Sequence, residues 1–203
     1  MTENHEEERV WLVYLQRDDD SALDLIFQKY YPYLYRIAHQ ILSDSSMAKD
    51  MVQEVLFRLW QNRATIHVNT SLKGYLQRSI INQCISFKRK QGKFSLTENH
   101  LPYVTQAIGM QETLEAESLE TRIRIAIDQL PEQCAIIFRL SRFEEMSYQE
   151  IARQLGISPK TVENQIGKAL KILRENLKPY LGIVLLSGPG NSFLIKFLSM
   201  AGG

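Results

Sequence analysis

The chain of 203 residues has no hydrophobic run approaching the roughly 18 apolar residues that a membrane-spanning helix needs. Its first ten residues are polar and acidic, so we expect no secretory signal peptide. Its only two cysteines, Cys84 and Cys134, are far apart, which excludes a disulfide framework and a zinc knuckle. We interpret both as small apolar core residues. A cytoplasmic protein without a structural metal and without insertion into a membrane is therefore expected.

Signals of catalysis are absent as well. The sequence contains no Gly-rich phosphate loop and no G-x-S-x-G motif. Its four histidines lack the spacing of metal ligands: His5, His39, His67 and His100. We therefore predict that the protein is not an enzyme, with no catalytic residue, no metal and no cofactor.

What the sequence does contain is helical periodicity. Strand patterns are nearly absent, and apolar residues recur at helical spacing over most of the chain, which predicts an all-α protein. The first helices are predicted at about 22–42, 47–62 and 72–90, and Pro32 is expected to interrupt or kink the first of them.

Composition divides the chain into two small helical domains. A stretch with scattered Gly and Pro predicts a flexible linker, and helical patterning returns at about residue 119. The predicted organisation is a first domain at 1–91, a linker at 92–117, a second domain at 118–180, and an apolar tail of unknown role at 181–203.

Residues 147–173 predict a helix-turn-helix. Ser147 and Glu150 match the S-x-x-E capping box that opens a helix, and Gly156 can supply the left-handed residue that ends it. Ser158 and Pro159 then match the N-cap and first position of a second helix. Two helices joined by a short turn containing Gly are typical of this DNA-binding motif, although a plain helical hairpin with a polar outer face would share the pattern.

The outer face of the second helix carries side chains that can contact DNA. Asn and Gln can pair with adenine edges, and Lys can reach guanine or phosphate, while Glu163 would have to read cytosine or point away from phosphate. The predicted outer residues are Lys160, Thr161, Glu163, Asn164, Gln165 and Lys168.

Residues 50–60 predict one amphipathic helix. The expected buried stripe is Met51, Val52, Val55, Leu56, Leu59 and Trp60. The other side places Phe57 beside carboxylates and an amide, which suits a protein interface with one apolar anchor and a polar rim. A surface helix with one stray aromatic residue is the alternative.

The strip 71–93 is locally basic in a chain whose formal net charge is only +1. It holds six basic residues and no acidic one, and rings and amides alternate with the charges. This pattern suits single-stranded nucleic acid, whose bases stack on aromatic rings. Core packing of Tyr75 and Phe87, or a solvated helix end, would also explain it.

Together, three stretches resemble a bacterial RNA polymerase sigma factor of the sigma-70 family, of the extracytoplasmic-function (ECF) type and of a subgroup common in Bacteroides-like bacteria. These stretches are DMVQEVLFRLW at 50–60, SLKGYLQRSIINQCISFKRK at 71–90, and LPEQCAIIFRLSRFEEMSYQEIARQLGISPKTVENQIGKAL at 130–170. The resemblance covers about residues 20–91 and 118–178. It implies a promoter-recognition subunit that directs transcription initiation.

The resemblance also implies partners and contact residues. The first domain would dock on the clamp helices of the polymerase beta-prime subunit through Asp50, Gln53, Glu54 and Phe57. Its basic helix would read and melt the minus-ten promoter element through Lys73, Tyr75, Arg78, Asn82, Lys88 and Arg89. The second domain, which would meet the flap of the beta subunit, would read the minus-thirty-five element through Ser158, Lys160, Thr161, Asn164, Gln165 and Lys168.

An anti-sigma factor is a further implied partner. The competing interpretation is a stand-alone helix-turn-helix regulator, which would explain residues 147–173 but would leave 50–60 and 71–93 without a role. Such regulators usually dimerise to read two half-sites, and the sequence shows no dimer heptads.

Overall fold

The computed structural model describes residues 3–66, 68, 71–92 and 119–178, without the side chains of 3–5 and 119–120. These residues form helices and turns with no strand, which confirms the all-α prediction. The helices are α1 (Glu3–Gln16), α2 (Asp20–Leu42), α3 (Ser45–Gln61), α4 (Leu72–Lys90), α5 (Leu119–Asp128), α6 (Glu132–Arg142), α7 (Tyr148–Leu155) and α8 (Pro159–Leu177). They belong to two compact units, the first built on α1–α4 and the second on α5–α8. The predicted linker beyond Gly92 and the apolar tail lie outside the described residues.

Helix α1 has no counterpart among the predicted helices. Its periodicity is weak because a charged residue, Glu8, is buried while Val10, Val13 and Tyr14 are exposed. It packs on α2, which begins after the N-cap Asp19, whose carboxylate accepts a hydrogen bond from the Ser21 amide.

Helix α2 runs without interruption through Pro32, so of the two predicted outcomes, an interruption or a kink, the interruption is wrong. Pro32 is exposed, so its ring and its missing amide lie away from the core. The buried side of the helix continues on both sides of it, from Ala22 to Ile41.

The core of the first unit lies between α2, α3 and α4, each of which packs on the other two. Ile26, Leu34, Leu59, Leu76 and Ile80 are fully buried there. Helix α3 begins two residues earlier than predicted because Asp44 caps it, accepting hydrogen bonds from the amides of Ser46 and Met47.

The second unit packs α8 against α5 and α6. Helix α6 supplies the most heavily buried face, with Cys134, Ile136, Ile137 and Phe138 at 1% exposure or less. This core fixes the orientation of α8, and therefore decides which of its side chains remain available on the outside.

Candidate functional site

The helix-turn-helix signals of the second unit are confirmed. Glu150 accepts a hydrogen bond from the Ser147 amide at 2.9 Å, and Ser147 Oγ accepts one from the Glu150 amide at 3.3 Å. Gly156 has a φ of +65° and ends α7. Ser158 Oγ accepts a hydrogen bond from the Thr161 amide at 3.0 Å, and Pro159 occupies the first turn of α8. Local polar contacts therefore fix both helix starts and the turn between them.

The outer face of α8 is largely as the sequence predicts. Val162, Ile166, Ala169 and Leu173 are buried, and Leu170 is half-buried. Of the residues predicted there, five are exposed: Ser158, Lys160, Glu163, Asn164 and Lys168. Thr161 is half-buried.

Gln165 differs from the other candidate DNA contacts on α8. Its side chain is half-buried, and its Oε1 accepts a hydrogen bond from Cys134 Sγ on α6 at 2.8 Å. Burial raises the pKa of the Cys134 thiol, so the sulfur keeps its proton and remains the donor. The contact directs the amide toward α6.

Two opposite charges meet on the exposed face of α8. Lys160 Nζ lies 2.9 Å from Glu163 Oε2, one helical turn away. Both side chains are more than half exposed, so the pair contributes little stability, but it places a carboxylate acceptor beside the candidate reading residues.

The exposed side of α3 forms a polar surface around one aromatic ring. Phe57 is 52% exposed and stacks on Trp60 with ring centroids 6.2 Å apart. Asp50 and Gln53 are exposed, and half-buried Glu54 accepts a hydrogen bond from Arg58 Nε at 2.8 Å.

The predicted buried stripe of α3 is only partly buried. Val52, Val55, Leu56 and Leu59 are buried, whereas Met51 and Trp60 are half-buried. The guanidinium of Arg63 lies over the Trp60 ring, 4.4 Å from its centroid, and covers part of it.

The candidate nucleic-acid residues of α4 divide into two classes. Lys73, Arg78, Asn82 and Arg89 are exposed. Tyr75 is half-buried, and Lys88 is only 7% exposed, which its charge alone would not indicate. Lys93, the last basic residue of the strip, lies outside the described residues.

Two further observations on the first unit concern its cationic and thiol groups. Lys73 Nζ lies 5.0 Å from the centroid of the Tyr33 ring, so a neighbouring helix supplies an aromatic face beside the basic strip. Burial raises the pKa of the Cys84 thiol from 9.0 to about 12, with Lys88 opposing the shift, which fits the predicted role as an apolar core residue.

A carboxylate that the sequence pattern did not single out lies at the start of α4. Glu8 is 4% exposed, and its Oε2 accepts a hydrogen bond from the Leu72 amide at 2.9 Å. The acidic run at residues 6–8 looks like a solvated surface, and no local signal distinguishes the buried member.

The described residues show neither a metal cluster nor a membrane-spanning helix. They contain no group of three or more His, Cys, Asp or Glu side chains that could hold a metal ion. None of their helices is long and apolar enough to cross a membrane. His39 lies exposed on α2 against the Tyr35 ring.

Comparison with protein families matches both units. The family model "Sigma-70 region 2" matches residues 26–94, and "Sigma-70, region 4" matches residues 121–173. The two matches together span more than half of the chain and follow the order of the two units.

Curated relatives match over most of the chain. RNA polymerase sigma factor SigV of Bacillus subtilis is 26% identical over 144 residues, 70% of this chain and 83% of the relative. ECF RNA polymerase sigma factor SigE of Mycolicibacterium smegmatis is 24% identical over 165 residues, 78% of this chain and 64% of the relative. RNA polymerase sigma factor YlaC of Bacillus subtilis is 27% identical over 169 residues, which are 78% of this chain and 92% of the relative.

Two solved structures share the fold. CnrH, in complex with the cytosolic domain of CnrY, has a TM-score of 0.54 at 19% identity and covers 85% of this chain and 98% of its own. The sigma factor RpoE from Bartonella quintana, in complex with the anti-sigma factor NepR, has a TM-score of 0.53 at 20% identity. The match covers 76% of this chain and 96% of RpoE.

Proposed function

The chain belongs to the sigma-70 family of RNA polymerase sigma factors, among its ECF members, and we propose that it binds core polymerase and promoter DNA through three surfaces, one each on α3, α4 and α8. As such a factor it directs promoter-specific transcription initiation. The observation that carries this conclusion is that both family regions match, in order, on two separate helical units. We also propose membership of the Bacteroides-like subgroup, a cytoplasmic location, no catalysis of its own, and the two-domain boundaries drawn from composition.

The α3 surface is proposed to dock on the clamp helices of the beta-prime subunit. An exposed aromatic ring surrounded by polar side chains is the composition of an interface hot spot. Phe57 supplies that ring, and Asp50, Gln53 and Glu54 supply the rim. The ring of Phe57 stacks on half-buried Trp60 and leaves half of its own surface exposed.

The α4 surface is proposed to read and melt the minus-ten element. Lys73, Arg78, Asn82 and Arg89 are exposed and can meet phosphates and base edges. Half-buried Tyr75 would offer one edge of its ring to a base, and buried Lys88 would act through the local potential.

Melting also explains why a large partner is needed. Opening roughly ten base steps costs on the order of 14 kcal/mol, at about 1.4 kcal/mol each. A specific protein–DNA complex releases only about 11–15 kcal/mol in total. A chain of 203 residues acting alone would have almost nothing left for affinity, so polymerase must share the cost.

The α8 surface is proposed to read the minus-thirty-five element in the major groove, with the second unit meeting the flap of the beta subunit. Lys160, Asn164 and Lys168 are exposed candidates for base and phosphate contacts. Exposed Ser158 and half-buried Thr161 at the start of α8 suit phosphate contacts. Gln165 is also proposed as a DNA contact, but its side chain would first have to break its hydrogen bond with Cys134.

An anti-sigma factor is the proposed regulatory partner. The two solved structures named above are complexes, one with the cytosolic domain of CnrY and one with the anti-sigma factor NepR. Co-purification of the protein from its host, followed by mass spectrometry, tests for such a partner.

The decisive experiment compares two exposed phenylalanines. Phe57→Ala is expected to weaken binding to core polymerase at least tenfold in gel filtration and fluorescence titration. Phe27→Ala is the matched control, because Phe27 is 43% exposed on α2, outside the proposed interface. Equal binding by both variants would remove the α3 surface from the proposal. If the wild type binds duplex DNA without polymerase and does not bind core polymerase, the protein is instead a stand-alone helix-turn-helix regulator.

A further inference from the structure

Helix α1 and the turn after it hold the connection between α3 and α4 at three points. Glu8 accepts a hydrogen bond from the Leu72 amide at 2.9 Å. Gln16 Nε2 donates to the Ile66 carbonyl at 3.3 Å, and Asp18 forms an ion pair with Arg63. The two hydrogen bonds and the ion pair therefore hold both ends of the segment that connects α3 to α4.

Glu8 makes the most demanding of these contacts. A carboxylate that is 4% exposed is costly unless its oxygens are satisfied. One oxygen accepts from Leu72, the first residue of α4, and the other accepts from the hydroxyl of Tyr30 on α2. Burial and the hydrogen bond to Glu8 both raise the pKa of Tyr30, so the phenol stays protonated and remains the donor.

The position of Glu8 suits the start of a helix. The first amides of a helix have no partner within it, and its N-terminal dipole favours a negative charge. Glu8 satisfies the Leu72 amide, while Ser71 Oγ accepts from the Gly74 amide at 3.0 Å. Two groups, one local and one 64 residues distant, thus define where α4 begins.

Among its described side chains, helix α1 gives the core one buried apolar residue, Leu15. Helices α2, α3 and α4 pack on one another, whereas α1 packs mainly on α2 and leaves Val10, Val13 and Tyr14 exposed. The three-helix core therefore has its own contacts, and α1 adds to it the buried Leu15 and the hydrogen bonds to the α3–α4 connection.

From this arrangement we propose that α1 is a brace for promoter engagement, with Glu8 as the positioning residue that sets the start of α4. The inference rests on the proposed function of α4. Lys73, Tyr75 and Arg78 all lie within two turns of the amide that Glu8 holds. Loss of the brace leaves the docking surface of α3 in place, but the start of α4 and these three side chains are no longer held in one position for DNA.

The test uses holoenzyme assembled with core polymerase and a DNA fragment that the wild type selects from a randomised duplex library. Opening is followed by 2-aminopurine fluorescence in the melted segment, and core affinity is measured separately. Glu8→Ala is expected to slow opening at least tenfold while core affinity stays within twofold. Glu8→Gln, which keeps an acceptor for Leu72, should recover a large part of the rate. The control is Glu7→Ala, because exposed Glu7 contacts Lys29 and not α4.

A second readout follows the brace in the free protein. In Glu8→Ala, the Leu72 amide is expected to exchange with solvent at least tenfold faster, while the amides of α3 keep their protection. If Glu8→Ala fails to fold, Gln16→Ala carries the test, since Gln16 is exposed and its loss releases only the Ile66 contact.

Three results would overturn the proposal. One is a rate of promoter opening with Glu8→Ala that equals the wild-type rate. If Glu8→Ala does not fold, the same result with Gln16→Ala counts. Another is a parallel fall in core affinity and opening, which means a general loss of structure. The third is unchanged exchange at Leu72. If the wild type does not bind polymerase at all, the proposed function fails instead, and Leu72 exchange alone decides whether Glu8 holds α4.

Discussion

The thiol of Cys134 on α6 donates a hydrogen bond to the side-chain carbonyl of Gln165 on α8, with 2.8 Å between sulfur and oxygen. The contact joins the core of the second unit to a residue of the helix proposed to read the minus-thirty-five element. It separates Gln165 from its exposed neighbour Asn164, although both are amides on the same helix.

We therefore expect the two amides to respond differently to substitution. Asn164→Ala should weaken holoenzyme binding to its promoter by about 1–3 kcal/mol, the value of one good base contact. Gln165→Ala should leave that affinity within twofold. Competition binding with promoter variants at the minus-thirty-five element measures both. A loss for Gln165→Ala as large as that for Asn164→Ala would mean that Gln165 leaves Cys134 to contact DNA.

The capping box of α7 should carry measurable stability. Ser147→Ala removes the acceptor for the Glu150 amide, and loss of such an N-cap typically costs about 1 kcal/mol. Ser46→Ala is the matched control, because exposed Ser46 lies in the first turn of α3, whose cap is Asp44. Urea unfolding compares the two. Equal midpoints would show that α7 begins without help from Ser147.

How far the sequence predicts the structure depends on how local each signal is. The helix-turn-helix was predictable because Ser147, Glu150 and Gly156 act within a few residues of one another. Glu8 was not, because its partners lie 22 and 64 residues away and its burial depends on them. Gln165 was placed among the outer residues for the same reason, since its partner lies 31 residues away.

Pro32 is a local signal that tertiary structure overrides. A proline within a helix costs about 3 kcal/mol, because it lacks an amide and its ring crowds the preceding turn. Since α2 continues through exposed Pro32, Pro32→Ala should raise the free energy of unfolding by about 1–3 kcal/mol. Gln28→Ala, at another exposed position of α2, is the control in thermal and urea unfolding. A destabilised Pro32→Ala would show that the packing of α2 depends on the proline.

The buried thiol of Cys84 should make stability fall in alkaline solution. Burial raises its pKa from 9.0 to about 12, so the folded state holds the proton more tightly than the unfolded state. This contribution is fully present below pH 9 and is lost as pH rises toward 12. Between pH 9 and 10, the wild type should lose about 1 kcal/mol more of its free energy of unfolding than Cys84→Ala.

Urea unfolding at half-unit steps of pH provides the measurement. Cys134→Ala serves as the comparison in the second unit, because burial raises the pKa of that thiol too and its removal should also flatten the curve. The Cys84 contribution should appear in the transition of the first unit alone, since Cys84 lies in the core of that unit. Identical pH dependence in wild type and Cys84→Ala would mean that Cys84 ionises as readily when folded as when unfolded, and that α4 is more open to water than its burial implies.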